Sequence, residues 1–124
     1  MSPRSLEFMD QARDRAAAAA ELLAADHLEA AVSAAYYAML YAARAALSED
    51  DEHARTHRGS WHLFRTRYVT TEAFDAALFT LAQHAQAARE GGDYEAVRPS
   101  REEAERYVVG ADRFIAAVAQ MLGA

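Results

Sequence analysis

Turn-forming residues are scarce in this chain and fall into a few short gaps. The 124 residues include only two prolines and five glycines. Helix-forming residues, alanine above all, fill the stretches between the gaps, and no run of alternating apolar and polar residues predicts a strand. The sequence therefore predicts an all-α fold: an antiparallel up-and-down bundle of four long helices, with one short helix lying across an end.

The first two predicted helices carry most of the alanine. We place the first at about residues 3–25, with Ser2 as its cap. The second follows a capping box, in which Asp26 accepts from the first turn and Glu29 reaches back, and it extends to about residue 47. Because apolar residues occupy two stripes of the second helix, we expect this helix to lie at the centre of the bundle.

The remaining helices are shorter or carry stronger stop signals. We place the third at about residues 57–68, after an acidic connection at 48–56. The fourth is predicted to begin near Thr70 or Thr71 and to end at residues 91–92, where two glycines permit a left-handed exit. The fifth follows a second capping box, formed by Ser100 and Glu103.

Composition limits the classes of protein to which the chain can belong. The length fits one domain at 1–124, and the absence of cysteine fits a cytoplasmic protein. No stretch approaches about 18 consecutive apolar residues, so we expect no membrane span. The net charge of −6 argues against duplex DNA binding through a broad basic surface. All 13 basic residues are arginines, whose planar fork suits phosphate where several cluster.

Several common catalytic motifs are missing from the sequence. None of the five histidines stands three residues after a glutamate on a long helix, as a di-iron bundle requires. No serine lies in a nucleophile elbow, and neither the P-loop nor the dinucleotide-binding glycine pattern occurs. We therefore expect no metal and no cofactor, and the candidates for chemistry are arginine and tyrosine.

Three short elements of the sequence occur in a recognisable order. In SAAYYAMLYAAR, at 33–44, the side chains of Tyr37, Tyr41 and Arg44 share one face of the predicted second helix. This stretch resembles the second helix of HEPN domains (higher eukaryotes and prokaryotes nucleotide-binding), in particular a small prokaryotic branch. That branch continues with a Thr-His-x-Gly element, here THRG at 56–59, and an Arg-x-x-x-Asp-Tyr element, here REGGDY at 89–94. The resemblance covers nearly the whole chain.

The resemblance implies a function in RNA or nucleotide chemistry. Many HEPN domains are metal-independent ribonucleases that carry an Arg-x4–6-His motif, often paired across a dimer. Many act as toxins beside a minimal nucleotidyltransferase antitoxin. Arg89 matches the motif's arginine, whereas Asp93 and Tyr94 stand where a histidine is expected. We therefore expect a homodimeric toxin–antitoxin component that binds nucleotide or RNA, with Arg89, Asp93 and Tyr94 as the candidate catalytic residues.

Two alternatives remain open from the sequence. The first is a metal-independent endoribonuclease. It would need an altered acid–base set, because aspartate is too acidic and tyrosine too basic to replace histidine near neutral pH. The second is a non-catalytic dimeric interaction module. In that case Asp93 pairs with Arg89 and only locks the end of a helix.

A second group of candidate residues surrounds the predicted third helix. His57 stands at the start of this helix, where backbone N–H groups suit an anion, and Arg55 is close in sequence. We predict a ligand-binding set of His57, Arg55, Arg44 and Tyr37, in which the last two line the pocket. Whether His57 lies close enough to Arg89 to supply the missing group depends on the fold.

Overall fold

Five α-helices form a bundle in the computed structural model, which describes residues 1–95 and 97–123, and only the backbone of residues 92–95. Within these ranges there is no strand, and no helix is long and apolar enough to cross a membrane. The prediction of an all-α bundle of four long helices and one short helix is confirmed. The helices are α1 (Pro3–Ala24), α2 (Leu28–Glu49), α3 (His57–Phe64), α4 (Ala76–Glu95) and α5 (Arg101–Met121).

Contacts at their ends show that α1 and α2 run antiparallel. The hydroxyl of Ser2 caps α1 by accepting from the backbone N–H of Ser5. The hydroxyl of Ser5 donates in turn to the carbonyl of Ala45 at 3.0 Å. The backbone N–H of Ser2 donates to the carboxylate of Glu49 at 2.9 Å. The start of α1 is thereby tied to the end of α2, and the alanines between them allow close helix packing.

The central position predicted for α2 is confirmed. This helix contacts each of the other four helices. Both of its predicted apolar stripes are buried, apart from Leu28, which is partly exposed. Since a helix that is apolar on most sides must find partners on most sides, α2 organises the packing of the other helices.

Aromatic rings fill the part of the core between α3, α4 and α5. Phe64 lies at the centre of this group, with ring centroids at 4.9 Å from Phe74, 5.1 Å from Tyr68 and 5.6 Å from Phe114. Trp61 meets the rings of Phe64 and Phe114 edge to face, at 6.2 and 6.0 Å. The predicted apolar side of the third helix therefore faces the core.

The boundary between α3 and α4 differs from the prediction. α3 ends at Phe64 and continues as one π-helical turn, Arg65–Val69. α4 begins at Ala76 rather than at residue 70 or 71. Glu72 adopts a left-handed backbone with φ of 63°, which stops helical propagation between the two elements.

One of the two predicted capping boxes is present. Ser100 and Glu103 form the reciprocal bonds of a capping box at the start of α5. The box predicted at Asp26 is wrong, because Asp26 has a φ of 64° and α2 begins after His27 without a side-chain cap. The tight turn from α1 to α2 uses Asp26 as its left-handed residue, and its carboxylate pairs with Arg101 at 2.9 Å.

α4 continues through the glycine pair, so the helix end predicted at residues 91–92 is wrong. The helix runs to Glu95. Glycine permits a left-handed exit without requiring it, and a glycine inside a helix costs only about 1 kcal/mol relative to alanine. Arg89 therefore lies within α4 rather than at its end. Asp93 and Tyr94 belong to the same helix, and their side chains lie outside the described residues.

Candidate functional site

Arg89 lies over two adjacent tyrosine rings of α2, Tyr36 and Tyr37, which we call the tyrosine pair. Its guanidinium carbon is 5.7 Å from the centre of the Tyr36 ring and 5.0 Å from that of Tyr37. The two rings meet edge to face at 5.3 Å. A cation within about 6 Å of an aromatic ring is attracted by the negative face of the ring. α4 thus brings a half-buried guanidinium onto the central helix.

His57 reaches the same tyrosine pair from α3. Its Nδ1 is 3.2 Å from the hydroxyl of Tyr36, and its ring meets that of Tyr37 edge to face at 5.5 Å. The charge of Arg89 acts on the imidazole. The fold therefore brings His57 and Arg89 onto one pair of rings, although the two residues belong to different helices.

The THRG stretch holds His57 in position. The hydroxyl of Thr56 caps α3 by accepting from the backbone N–H of Gly59 at 2.9 Å. A β-carbon at Gly59 would lie 2.9 Å from this hydroxyl and 3.2 Å from the side chain of Ala54. Glycine leaves room for the cap, and the cap makes His57 the first residue of α3.

Tyr36 links the buried core to His57. Its ring is fully buried in the core. Its hydroxyl accepts from Nε1 of Trp61 at 3.1 Å. With that acceptor position used, donation of the hydroxyl proton to Nδ1 of His57 satisfies all three groups. Burial raises the pKa of Tyr36, which keeps the phenol protonated for this role.

The direction of the Tyr36 bond depends on which nitrogen of His57 carries the proton. An Nδ1 that accepts from Tyr36 places the proton of the neutral ring on Nε2. Burial lowers the pKa of His57, and the charges of Arg44 and Arg89 lower it further, while Glu90 opposes them. In the arrangement in which Nδ1 accepts, the neutral ring of His57 offers an N–H donor at Nε2.

Two further guanidinium groups border the tyrosine pair. Arg15 of α1 lies over Tyr37 at 5.6 Å and over Tyr41 at 5.5 Å. Arg44 of α2 donates from Nε to the hydroxyl of the fully buried Ser60 at 3.3 Å. Arg15 is therefore a second cation over the ring of Tyr37, and Arg44 is bonded to Ser60 of α3.

Comparison with known sequences agrees with this arrangement of helices. The family model of the HEPN domain matches residues 5–121. The chain belongs to the HEPN domain family. A relative from Methanocaldococcus jannaschii, which carries the name "Putative toxin MJ0142", is 30% identical over 104 residues. That match covers 82% of this chain and 71% of the relative.

In this HEPN domain, four of the predicted site residues lie close together. Arg89, His57 and Tyr37 meet at the tyrosine pair. Arg44 is near enough for its charge to lower the pKa of His57. Arg55 lines a neighbouring cleft that also contains Arg44. Three elements bring these residues together, because α2 supplies the rings, α3 the imidazole and α4 the guanidinium.

The other predictions for the HEPN site concern two residues at the end of α4 and the expectation of no metal. The side chains of Asp93 and Tyr94 lie outside the described residues, so their part in the site stays a prediction. In the described part of the chain, no group of three His, Cys, Asp or Glu side chains is arranged to hold a metal ion.

Sequence reasoning missed Tyr36, Trp61 and Ser60 as members of the site. All three are buried and read as core residues. The available signal was the adjacent tyrosine pair: on a helix, neighbouring side chains point about 100° apart, so only one ring could fit the same apolar stripe. The buried Tyr36 carries the hydrogen bond to His57, and the half-buried Tyr37 carries Arg89 on its ring.

Proposed function

We propose that this HEPN domain binds RNA or a nucleotide through Arg89, His57 and the tyrosine pair. The single observation that carries the proposal is the placement of a guanidinium and an imidazole on the same two rings, from two different helices. Arginine binds phosphate oxygens through its fork, and the Nε2–H of His57 adds a neutral donor.

The hydrogen bonding of His57 supports binding more than cleavage. Cleavage of RNA without a metal needs one group to take the proton of the 2′-hydroxyl and another to protonate the leaving oxygen. With Nδ1 accepting from Tyr36 and a proton on Nε2, neutral His57 has no lone pair left for the first task. The ring in this state is a donor to an anion.

A metal-independent endoribonuclease is the second candidate. The observation in its favour is that His57 and Arg89 do meet, and that the pKa of His57 is lowered by burial and by two neighbouring cations, so its neutral form persists. For His57 to act as a base, its proton must move to Nδ1, where it would donate to Tyr36. The tautomer of His57 therefore separates the two candidates.

We propose that the protein is a cytoplasmic toxin–antitoxin component that acts as a homodimer, with an antitoxin of the nucleotidyltransferase type. Membership of the HEPN family and the name of the relative, "Putative toxin MJ0142", support the toxin role. Growth arrest on expression, relieved by Arg89→Gln, is the expected phenotype. Light scattering of the purified protein tests the dimer.

Binding of labelled single-stranded RNA, measured by fluorescence anisotropy at one fixed salt concentration, tests the proposal. We expect Arg89→Gln to weaken binding about tenfold or more, since a charge-assisted hydrogen bond contributes about 1.5–3 kcal/mol. Arg101→Gln is the matched control: it removes the same charge from an exposed pair with Asp26 and should change the affinity less than about twofold.

Three results decide between the candidates. RNA that is bound and stays intact in a chelator supports binding alone. Chelator-resistant cleavage that both Arg89→Gln and His57→Gln abolish supports the ribonuclease. An RNA affinity that Arg89→Gln leaves unchanged contradicts the proposal, and a lower melting temperature in the same variant then assigns Arg89 to a structural contact between α4 and α2, as in the interaction module.

A further inference from the structure

A separate cleft of about 270 Å³ opens near the start of α1 and the end of α2. Three arginines from three segments line it: Arg4 of α1, Arg44 of α2 and Arg55 of the connection between α2 and α3. Among the described lining residues, Glu52 is the one carboxylate that faces them. Guanidinium groups repel one another, so their convergence favours an anion between them.

The acidic groups near the cleft are already engaged. Glu52 accepts from Nη1 of Arg67 at 3.0 Å. Glu49, at the end of α2, accepts from the backbone N–H of Ser2, and this bond lowers the pKa of its carboxyl. Glu52 is therefore paired with a cation that is not among the lining arginines, whereas Glu49 stays a charged carboxylate held by a backbone N–H.

Two of the arginines are held by contacts inside the protein. Nε of Arg44 donates to the hydroxyl of Ser60, which is fully buried. This bond uses one of the five N–H donors of the guanidinium. The guanidinium of Arg4 lies over the half-buried ring of Phe8 at 5.8 Å. The positions of both cations are thus set before a ligand arrives, which reduces the entropic cost of binding.

We propose that this cleft binds the phosphate group of a nucleotide. Arginine forks match phosphate oxygens in geometry and charge. The cleft volume of about 270 Å³ is just below the range of about 300–1,000 Å³ for small-molecule pockets, which favours a small ligand such as one nucleotide over a dinucleotide. The ring of Phe8 provides apolar surface beside the cations. The choice of a nucleotide among phosphate esters rests on the function proposed above.

Arg44 connects this cleft to the tyrosine pair. It lines the cleft, and its charge also lowers the pKa of His57. Ser60, its hydrogen-bond partner, lies three residues after His57 on α3. The occupant is therefore either the next nucleotide of a strand held at Arg89 or a free mononucleotide. Both present the same phosphate chemistry, and the two sources require separate experimental arms.

The first arm uses adenosine 5′-monophosphate and adenosine as probes of the full-length protein labelled with ¹⁵N. We expect the monophosphate to shift the backbone signals of Arg55 and Ser60, and adenosine at equal concentration to leave them in place. Arg4→Gln and Arg55→Gln should each weaken monophosphate binding about tenfold, because each removes charge-assisted bonds to the phosphate. Both side chains lie at the surface, so the variants should fold, and Arg101→Gln is again the control.

The second arm measures the affinity for single-stranded RNA. If Arg4→Gln and Arg55→Gln weaken RNA binding while the monophosphate does not bind, the occupant is a nucleotide of the strand, which supports the proposal. If the monophosphate binds and depends on both arginines, the cleft also takes a free nucleotide. The proposal is overturned if neither ligand depends on Arg4 and Arg55.

The two proposals fail in different ways. If monophosphate binding depends on Arg89 and is unaffected by Arg4→Gln and Arg55→Gln, the phosphate lies at the tyrosine pair. This result would overturn the proposed site in the cleft. RNA affinity that is insensitive to Arg89→Gln, with monophosphate binding that still depends on Arg55, would overturn the tyrosine-pair site and leave the cleft standing.

Discussion

Two buried tyrosines, Tyr36 of α2 and Tyr68 of the π-helical turn, each form a hydrogen-bond network that involves α2. The two networks end at different groups. Tyr36 accepts from Trp61 and bonds to the imidazole of His57. The single O–H proton of Tyr68 is shared between the carbonyl of Ala46, at 2.9 Å, and the carboxylate of Asp50. Burial is the main cause that raises the pKa of both phenols.

The Tyr68 network ties structural elements together. It fastens the π-helical turn to the end of α2, and Arg67 of the same turn lies 3.8 Å from the carboxylate of Asp50. The Tyr36 network instead leads from a buried indole to a half-buried imidazole, whose pKa is lowered by burial and by the charges of Arg44 and Arg89. A buried phenol is thus not a sign of a site by itself. The difference lies in what ends the chain, which is an imidazole near a guanidinium for Tyr36 and an exposed carboxylate for Tyr68.

The largest effect is expected from Phe64→Ala, because this ring lies between the two networks. Its centroid is 6.2 Å from that of Trp61 and 5.1 Å from that of Tyr68. We expect a loss of about 3–5 kcal/mol in the free energy of unfolding, as for other buried phenylalanines, measured by urea denaturation. RNA affinity should fall as well. A stable variant with only one network disturbed would mean that the networks are independent of this ring.

Tyr36→Phe should have the next largest effect. It leaves the buried Nε1–H of Trp61 without its acceptor, which costs about 1–3 kcal/mol of stability. It also removes the donor to Nδ1 of His57, so the proton is no longer confined to Nε2. We expect weaker RNA binding and a change in the ¹⁵N shifts of the imidazole. Unchanged imidazole shifts would contradict the assigned tautomer.

Tyr68→Phe is the matched substitution in the other network, and a smaller effect is expected. Asp50 is exposed and can bond to water once the hydroxyl is gone, so the cost in stability is about 0.5–1.5 kcal/mol. RNA affinity and the titration of His57 should match those of the wild type. A loss of RNA binding in this variant would remove the distinction between the two networks.

The smallest effect concerns the dependence of stability on pH. His57 titrates near pH 6.5 in an unfolded chain, and its pKa in the folded protein is lower. The unfolded state therefore binds more protons as the pH falls below about 6.5, and the contribution of His57 to stability is lost from there toward the folded pKa. The stability difference between wild type and His57→Gln should shrink over this range.

An NMR titration of His57 tests the direction of its pKa shift independently of the stability measurement. Arg89→Gln removes one of the charges that lower the pKa of His57, so the pKa should rise toward its ordinary value in the variant. A pKa that falls instead, or a stability difference that grows with acidity, would contradict the placement of Arg89 beside the imidazole.

Local signals predicted the helices well and their ends less well. Periodicity identified the central helix because its two stripes are both buried, and the capping box at Ser100 is present because its bonds are local. The same box pattern failed at Asp26, where the turn to α2 needed a left-handed residue more than a cap. At Gly91 the stop signal failed because glycine allows a helix to end but does not make it end.

The sequence by itself determined the helical bundle, the resemblance to HEPN domains and the choice of Arg89 and His57 as candidates. The bundle follows from spacing along the chain, which sets the apolar face of each helix. Arg89 became a candidate because it matches the arginine of the family motif, and His57 because it stands at the start of a predicted helix. Only the tertiary structure decided that Tyr36 bonds to His57, 21 residues away, and that Arg89 covers the tyrosine pair. Periodicity tells which face of a helix is buried, whereas the packing of three helices determines which side chains meet there.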